Sequence, residues 1–389
     1  MEVDGGGPVR QRDGATVAPR VGAAARYYRG PPASVLLSVS HDAPMPESGH
    51  APRILIVRSS ALGDIVFATS LLGGLRARWP AAHIGWLAQA GFAGILDGDP
   101  RIDEVIRIAP DTVKSPSRLW ALRRELRARR YDWVIDAQGL AKSRLLAAMA
   151  AGARRIGFDS REPLGFLLHQ RLPKGGDIRD IASEYRALAE ALTGAVAPPP
   201  RLLVAESARD AAQALLSAAG LAPGYIALCP FTTRPQKHWI ESHWPPLAAL
   251  LAAQNPGRAL AVLGGPGDVE AAARIVTACP VPVVNLAGKT RLNQLPGVLQ
   301  QAGLVIGVDT GLTHIGVAVQ RPVVALFGST CPYTQGAESP LTVMYDALPC
   351  APCKRKPTCN GRFDCLRGLT PQRVAAAARA LLGRDEAAR

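Results

Sequence analysis

The chain has 389 residues, of which 48% are hydrophobic and 20% charged. That balance excludes a disordered or fibrous protein and supplies apolar side chains enough for two cores. The net charge of +14 divides evenly: residues 1–52 sum to zero, whereas 53–198 and 199–389 each carry +7. Anionic partners are therefore expected: phosphates, carboxylates, nucleic acid or an acidic membrane surface. No apolar run approaches the roughly eighteen residues of a membrane-spanning helix, and the opening residues lack the basic-then-apolar order of a signal peptide. Seven cysteines crowd toward the C-terminus instead of forming a framework, which suits a reducing cytoplasm.

Residues 1–50 are rich in Gly, Pro, Ala, Ser and Arg without apolar periodicity, so 1–52 is expected to be a disordered extension or an over-long start. From Arg53 strands and helices alternate. Residues 54–57 are wholly apolar, as in a strand buried on both faces. A polar turn leads into a helix predicted over 65–78. Strands follow at 83–87, 104–108 and 133–136, with an arginine-rich helix at 117–130 between the last two and another over 180–194. The segment 195–200, Ala-Val-Ala-Pro-Pro-Pro, is a stiff connector. The pattern then restarts with strands at 225–229, 259–263, 281–285, 304–308 and 323–327. A last helix begins with Thr370 as N-cap and Pro371 at the first helical position. The expected architecture is α/β: two doubly wound Rossmann-like domains, 53–198 and 199–389, facing a cleft at the carboxyl ends of their strands.

Four loops beyond predicted strands could carry chemistry. In Arg58-Ser-Ser-Ala-Leu-Gly-Asp64, Asp64 falls at a helix start, where it either caps the helix or serves as a general base. In Pro230 to Trp239, Thr232, Thr233 and Lys237 suit phosphate oxygens, a solvated turn being the alternative. Gly264-Gly-Pro-Gly-Asp268 allows close backbone approach, and Asp268 could accept hydrogen bonds from ribose hydroxyls; an ordinary strand-to-helix turn is the other reading. In Val308-Asp309-Thr310-Gly311-Leu-Thr-His314, the helix start offers N–H groups to an anion. Asp309 is suited to sugar hydroxyls, and His314 to packing, capping or ligand contact. The missing G-x-G-x-x-G in the first loop argues against a nicotinamide oxidoreductase. Basic residues spread over both halves, without RNP-type aromatic motifs, argue against a nucleic-acid-binding module.

Taken in order, Ser59-Ser-Ala-Leu-Gly-Asp-Ile65, Asp136-Ala-Gln-Gly-Leu140, Gly157-Phe-Asp159 with Arg161-Glu-Pro163, Thr232-Thr-Arg with Lys237-His-Trp239, and Asp309-Thr-Gly-Leu-Thr-His314 resemble the ADP-heptose:lipopolysaccharide heptosyltransferases of glycosyltransferase family 9. The similarity runs from Arg53 to about Leu382. Its Asp-Ala-Gln-Gly-Leu and Arg-Glu-Pro segments look most like the heptosyltransferase I branch, which adds the first heptose to Kdo on lipid A. The resemblance implies a GT-B fold and an inverting transfer that uses no metal or other cofactor. Asp64 matches the base, and Thr232, Thr233 and Lys237 match positions around the donor pyrophosphate. Asp268 matches a ribose-binding acid, Asp309 a heptose-binding aspartate, and Thr310 and Gly311 backbone contacts to phosphate. His314 belongs to the same donor motif.

ADP-heptose is the implied donor and Kdo–lipid A the implied acceptor. The implied location is the cytoplasmic face of the inner membrane, held peripherally and without nucleic acid. Lys142 and Arg161 are the expected acceptor contacts; Arg123, Arg124, Arg127, Arg129 and Arg130 form either a solvated face or a docking cluster. A later heptose acceptor or another sugar nucleotide is the alternative within the family. Cys350, Cys353, Cys359 and Cys365, in the segment 350–365, are a structural zinc site, free thiols or a conditional disulfide; the second pair lacks zinc-knuckle spacing.

Overall fold

The computed structural model describes residues 51–388 apart from 178, 333–338 and 354; the expected extension over 1–50 lies outside the described residues. The first half runs β1 (Arg53–Val57), α1 (Leu62–Ala68), α2 (Ser70–Arg78), β2 (His83–Gln89), α3 (Ala90–Ala93), β3 (Glu104–Ile108), α4 (Pro116–Arg129), β4 (Trp133–Asp136), α5 (Ala141–Ala148), β5 (Arg154–Phe158), β6 (Gln170–Leu172) and α6 (Ala182–Thr193). The second runs α7 (Glu206–Ala218), β7 (Ile226–Cys229), α8 (Trp244–Gln254), β8 (Leu260–Val262), α9 (Val269–Ala278), β9 (Val284–Asn285), α10 (Leu295–Gln300), β10 (Leu304–Val308), α11 (Gly311–Ala318), β11 (Val323–Phe327), β12 (Leu341–Tyr345), α12 (Asp364–Arg367) and α13 (Pro371–Ala388).

The strands form two parallel six-stranded sheets, ordered β3-β2-β1-β4-β5-β6 and β12-β11-β10-β7-β8-β9. Counted from its own first strand, each sheet has the doubly wound order 3-2-1-4-5-6. The winding reverses between β1 and β4 in one and between β7 and β10 in the other. At such a reversal the two flanking loops diverge to opposite sides and leave a crevice at the carboxyl ends of the strands. The loops after β1, β4, β7 and β10 are therefore the ones the topology opens to a ligand.

Most predicted elements appear, with instructive differences. The single helix expected over 65–78 is two, because Thr69 Oγ1 donates to the Val66 carbonyl (2.7 Å) and Ser70 Oγ to that of Phe67 (3.0 Å). These side-chain bonds compete with the helix ladder at the junction. The strand expected over 281–285 shrinks to Val284–Asn285, since Pro282 has no N–H for a ladder. Three strands escaped the sequence reading: β5, which opens on two arginines, three-residue β6, and β12, whose residues are all only half-buried at a sheet edge. The last helix starts as expected, with Thr370 Oγ1 accepting from the Arg373 N–H at 3.4 Å. Among the described residues no helix is long and apolar enough to cross a membrane.

At the end of the first sheet away from the ligand loops, Glu104 accepts from Arg129 Nε (2.7 Å), from the Tyr131 hydroxyl (2.5 Å) and contacts His83 Nε2 (3.1 Å). Burial alone would raise the Glu104 carboxyl, but these partners outweigh it and hold it at about 2. A depressed carboxylate contributes stability above its unfolded value of about 4.5 and loses it as pH falls from there toward 2. Glu104→Gln is expected to destabilise the protein by about 1–3 kcal/mol at pH 7. In denaturant titrations this deficit should shrink steadily below pH 4.5; a deficit that does not change with pH would refute the assignment.

Candidate active site

Asp64 stands in the first turn of α1, where its Oδ2 accepts from the Ala61 N–H at 3.2 Å. It thus reaches back over the helix start as half of a capping box. The same oxygen lies 2.7 Å from the guanidinium of Arg58, the residue that follows β1. Arg58 is nearly buried, donates to the Ala137 carbonyl (3.3 Å) and lies 5.7 Å from the Tyr185 ring centre. Asp64 is therefore half-exposed but laterally fixed, on a turn whose other groups are tied down. Ser59 N–H and Oγ both donate to Gln138 Oε1, at 3.1 and 2.8 Å. Gln138 is itself held by Asp136, whose Oδ1 accepts from the N–H groups of Gln138 (3.0 Å) and Gly139 (3.1 Å). Burial raises the Asp136 carboxyl, against the pull of these donors. The Asp136-Ala-Gln-Gly stretch thereby couples the β4 loop to the β1 loop across the sheet's switch point. Lys142 extends its Nζ to Ser60 Oγ at 3.4 Å, while Arg161 projects into solvent.

In the second half, Asp309 directly follows β10 and has 3% exposure. Its Oδ2 pairs with Lys237 Nζ and accepts from Thr330 Oγ1, both at 2.6 Å, and its Oδ1 lies 3.3 Å from His314 Nε2. Burial would raise this carboxyl; His314 and then Lys237 more than offset it and hold it well below the usual carboxylate range. Thr232 Oγ1 donates to the Asp309 carbonyl at 3.2 Å, so the β7 and β10 loops are joined at their own switch point. Thr233 is exposed. Asp268 closes its own turn by accepting from the Gly265 N–H at 2.8 Å, at the carboxyl end of β8.

These two clusters meet. The first turns of α1 and α11 pack so closely that a methyl group on Gly311 would lie 2.6 Å from Leu62 Cδ2, and one on Gly63 would lie 2.8 Å from His314 Cδ2. Glycine is required at both positions by this approach. The Phe67 and His314 ring centres are 4.7 Å apart. His314 thus stands behind Asp309 with its other flank against α1. The helix start that carries Asp64 and the turn at 309–311 are thus packed against each other, while Asp268 stands just beyond β8 and Arg161 is exposed beyond β5.

The sequence profile of glycosyltransferase family 9 (heptosyltransferase) matches residues 119–363. The chain belongs to glycosyltransferase family 9. Lipopolysaccharide heptosyltransferase 1 of Pseudomonas aeruginosa PAO1 is 31% identical over 364 residues, covering 85% of this chain and 98% of that protein. Its namesake from Escherichia coli K12 is 31% identical over 294 residues, covering 72% and 89%. Among solved structures, that of E. coli heptosyltransferase WaaC with ADP-2-deoxy-2-fluoro heptose aligns with a TM-score of 0.65 and 27% identity, over 86% of this chain and 99% of that one. The two doubly wound sheets of this family 9 glycosyltransferase are accordingly those of a GT-B enzyme.

Four polar residues of the transferase were given no part by sequence reasoning: Arg58, Gln138, Thr330 and Arg144. Arg58 had a visible signal, a charge closing an apolar strand. Thr330 lies just past β11, and only the pairing of β10 with β11 shows that it faces Asp309. Arg144 is fully buried and forms no ion pair at salt-bridge distance among the described residues; it donates to the carbonyls of Glu162 and Pro163 and to Ser160 Oγ (2.8 Å). The loop that carries Arg161 is wrapped around this guanidinium. Toward the C-terminus Cys350, Cys353, Cys359 and Cys365 are free thiols, and among the described residues no three His, Cys, Asp or Glu side chains converge on a metal-sized site. Burial and the neighbouring Cys353 push the Cys365 thiol up to about 11.

Proposed function

We propose that this enzyme transfers heptose from ADP-heptose to the Kdo–lipid A inner core of lipopolysaccharide, with inversion at the anomeric carbon. The sugar nucleotide belongs with residues 199–389 and the acceptor with 53–198. The single observation that supports this reading best is the close packing of the α1 start that carries Asp64 against the α11 start that follows Asp309, the partner of Lys237. The P. aeruginosa and E. coli relatives named above and the ADP-sugar in the E. coli structure agree with it.

In the proposed step the acceptor hydroxyl gives its proton to the Asp64 carboxylate as its oxygen bonds the anomeric carbon, and the bond from that carbon to the ADP oxygen breaks. Arg58 orients Asp64 so that one carboxylate edge faces the acceptor. Negative charge growing on the ADP is met by Lys237 and by the first N–H groups of α11, where the Thr310 side chain makes no capping bond and the helix dipole adds its positive end. Asp309 holds Lys237 and, through its remaining lone pairs, receives sugar hydroxyls. Thr232, Thr233 and Asp268 contact the diphosphate and ribose. Lys142 and Arg161 receive Kdo carboxylates or lipid A phosphates. The lipid acceptor places the enzyme at the cytoplasmic face of the inner membrane.

The test is ADP release with a panel of acceptors. Turnover with ADP-heptose and Kdo–lipid A is the expected result. Turnover only on an already heptosylated core would favour a later heptose acceptor, and turnover only with another sugar nucleotide would replace the donor. Arg144→Met is expected to raise the acceptor KM at least tenfold while changing kcat and ADP affinity less than about threefold, because it releases the Arg161 loop and leaves the donor side alone.

A further inference from the structure

The structure sorts the arginine cluster of α4 in a way that transfer chemistry does not use. Arg129 is tied to Glu104 (2.7 Å) and Glu125 (3.1 Å), and Arg118 to Asp111. Arg123, Arg124 and Arg127 are exposed and form no ion pair among the described residues. With Trp120 they occupy positions i, i+3, i+4 and i+7 of one helix, which places all four on one face. Leu122 and Leu126 point the opposite way, into the core shared with Leu146 and Ala147 of α5. Trp120 is 63% exposed, with the Arg124 guanidinium 5.2 Å from its ring centre, whereas the protein's other five tryptophans are buried.

We propose that this Trp120–Arg123–Arg124–Arg127 face docks the enzyme on an anionic lipid bilayer, with the indole at the headgroup boundary and the guanidinium groups on lipid phosphates. An exposed indole among unpaired cations costs hydration in water but fits the membrane interface, where its ring is half-immersed and its N–H stays wet. Charge complementarity selects an anionic surface. A convex stripe only about 10 Å long, with one aromatic and no groove, lacks the extended track and stacking platform that a nucleic-acid strand needs. Because α4 and α5 cover the same face of the first sheet, docking here also brings the Lys142 helix and the Arg161 loop, with Phe166 81% exposed beside it, toward the bilayer. The proposal rests on the reading that the acceptor is a lipid.

The full-length enzyme would be floated with vesicles of phosphatidylcholine alone or with about a third phosphatidylglycerol, and its tryptophan fluorescence read with brominated lipid. Binding only to anionic vesicles is expected, with quenching that Trp120→Phe abolishes. Arg123→Ala/Arg124→Ala/Arg127→Ala should lower the partition coefficient roughly 100-fold, about fivefold per arginine. That variant should turn over a deacylated, water-soluble acceptor within about twofold of wild type while losing activity on vesicle-embedded acceptor. Equal binding to neutral vesicles, an unchanged triple variant, or duplex DNA competing vesicles off α4 would each overturn the docking surface. Turnover on soluble acceptor without any vesicle binding would remove the surface and keep the transfer reading; vesicle binding without turnover on either acceptor would do the reverse.

Discussion

Asp64→Asn should lower kcat by about 10³-fold, within the range for loss of a general base, while the Kd for ADP changes less than about threefold. Asparagine keeps the size of the side chain and can still accept from the Ala61 N–H at the start of α1, so the turn survives. What disappears is the carboxylate proposed to take the acceptor proton, and with it the ion pair to Arg58. The measurement pairs ADP-release kinetics with calorimetric titration of ADP. A variant that keeps more than a tenth of wild-type kcat would leave Asp64 a helix cap and nothing more. Arg58→Met provides an internal check. It leaves the carboxylate and removes its lateral restraint, so it should lower kcat by a smaller factor, on the order of tenfold, and leave ADP binding alone.

Lys237→Ala should weaken ADP binding at least tenfold and lower kcat by roughly 10²-fold, since in the proposed step one positive charge serves both the bound diphosphate and the charge that develops on it. The same change removes one of the charged partners of Asp309 in a site with 3% exposure and leaves it His314 and Thr330. Removal of one partner of a buried pair costs about 3–5 kcal/mol, so lowered stability could mimic a binding defect. The double variant Lys237→Ala/Asp309→Asn separates the two. It removes the carboxylate charge that Lys237 balanced and should recover most of the stability, but not the ADP affinity. The pH dependence has a definite sign. Asp309 titrates well below its unfolded value of about 4, so its pairing contributes fully above that value and is lost as pH falls below it. Wild type and Lys237→Ala should therefore converge in stability as pH falls below about 4. If the double variant binds ADP like wild type, Lys237 is a structural partner of Asp309 and not a phosphate ligand.

Much of this protein was legible from its sequence because buried parallel strands must be nearly all apolar. Residues 54–57, 304–308 and 323–327 could be read as such strands with no knowledge of their neighbours. The Thr370–Pro371 helix start was legible for a similar reason, since capping is chemistry confined to a few consecutive residues. Elements whose sequence carries a competing signal were missed or misdrawn. Edge strands such as β12 bury too little to need an apolar run, and hydroxyls at 69 and 70 divide a helix without disturbing its periodicity.

The loops that could hold phosphate or a base were visible one at a time, each with an ordinary turn as its equal. Local sequence dictated that an anion-seeking helix start would follow β10 and a carboxylate helix start would follow β1. Only the tertiary structure decided that these two starts pack against each other, that Lys237 answers Asp309, that Arg58 answers Asp64, and that Arg144 anchors a loop sixteen or more residues away. The reason is physical. Caps, turns and strand burial are short-range choices that each residue makes with its chain neighbours. Charge pairing and glycine-permitted contact between helices depend on strand order, which nothing shorter than the whole sheet specifies.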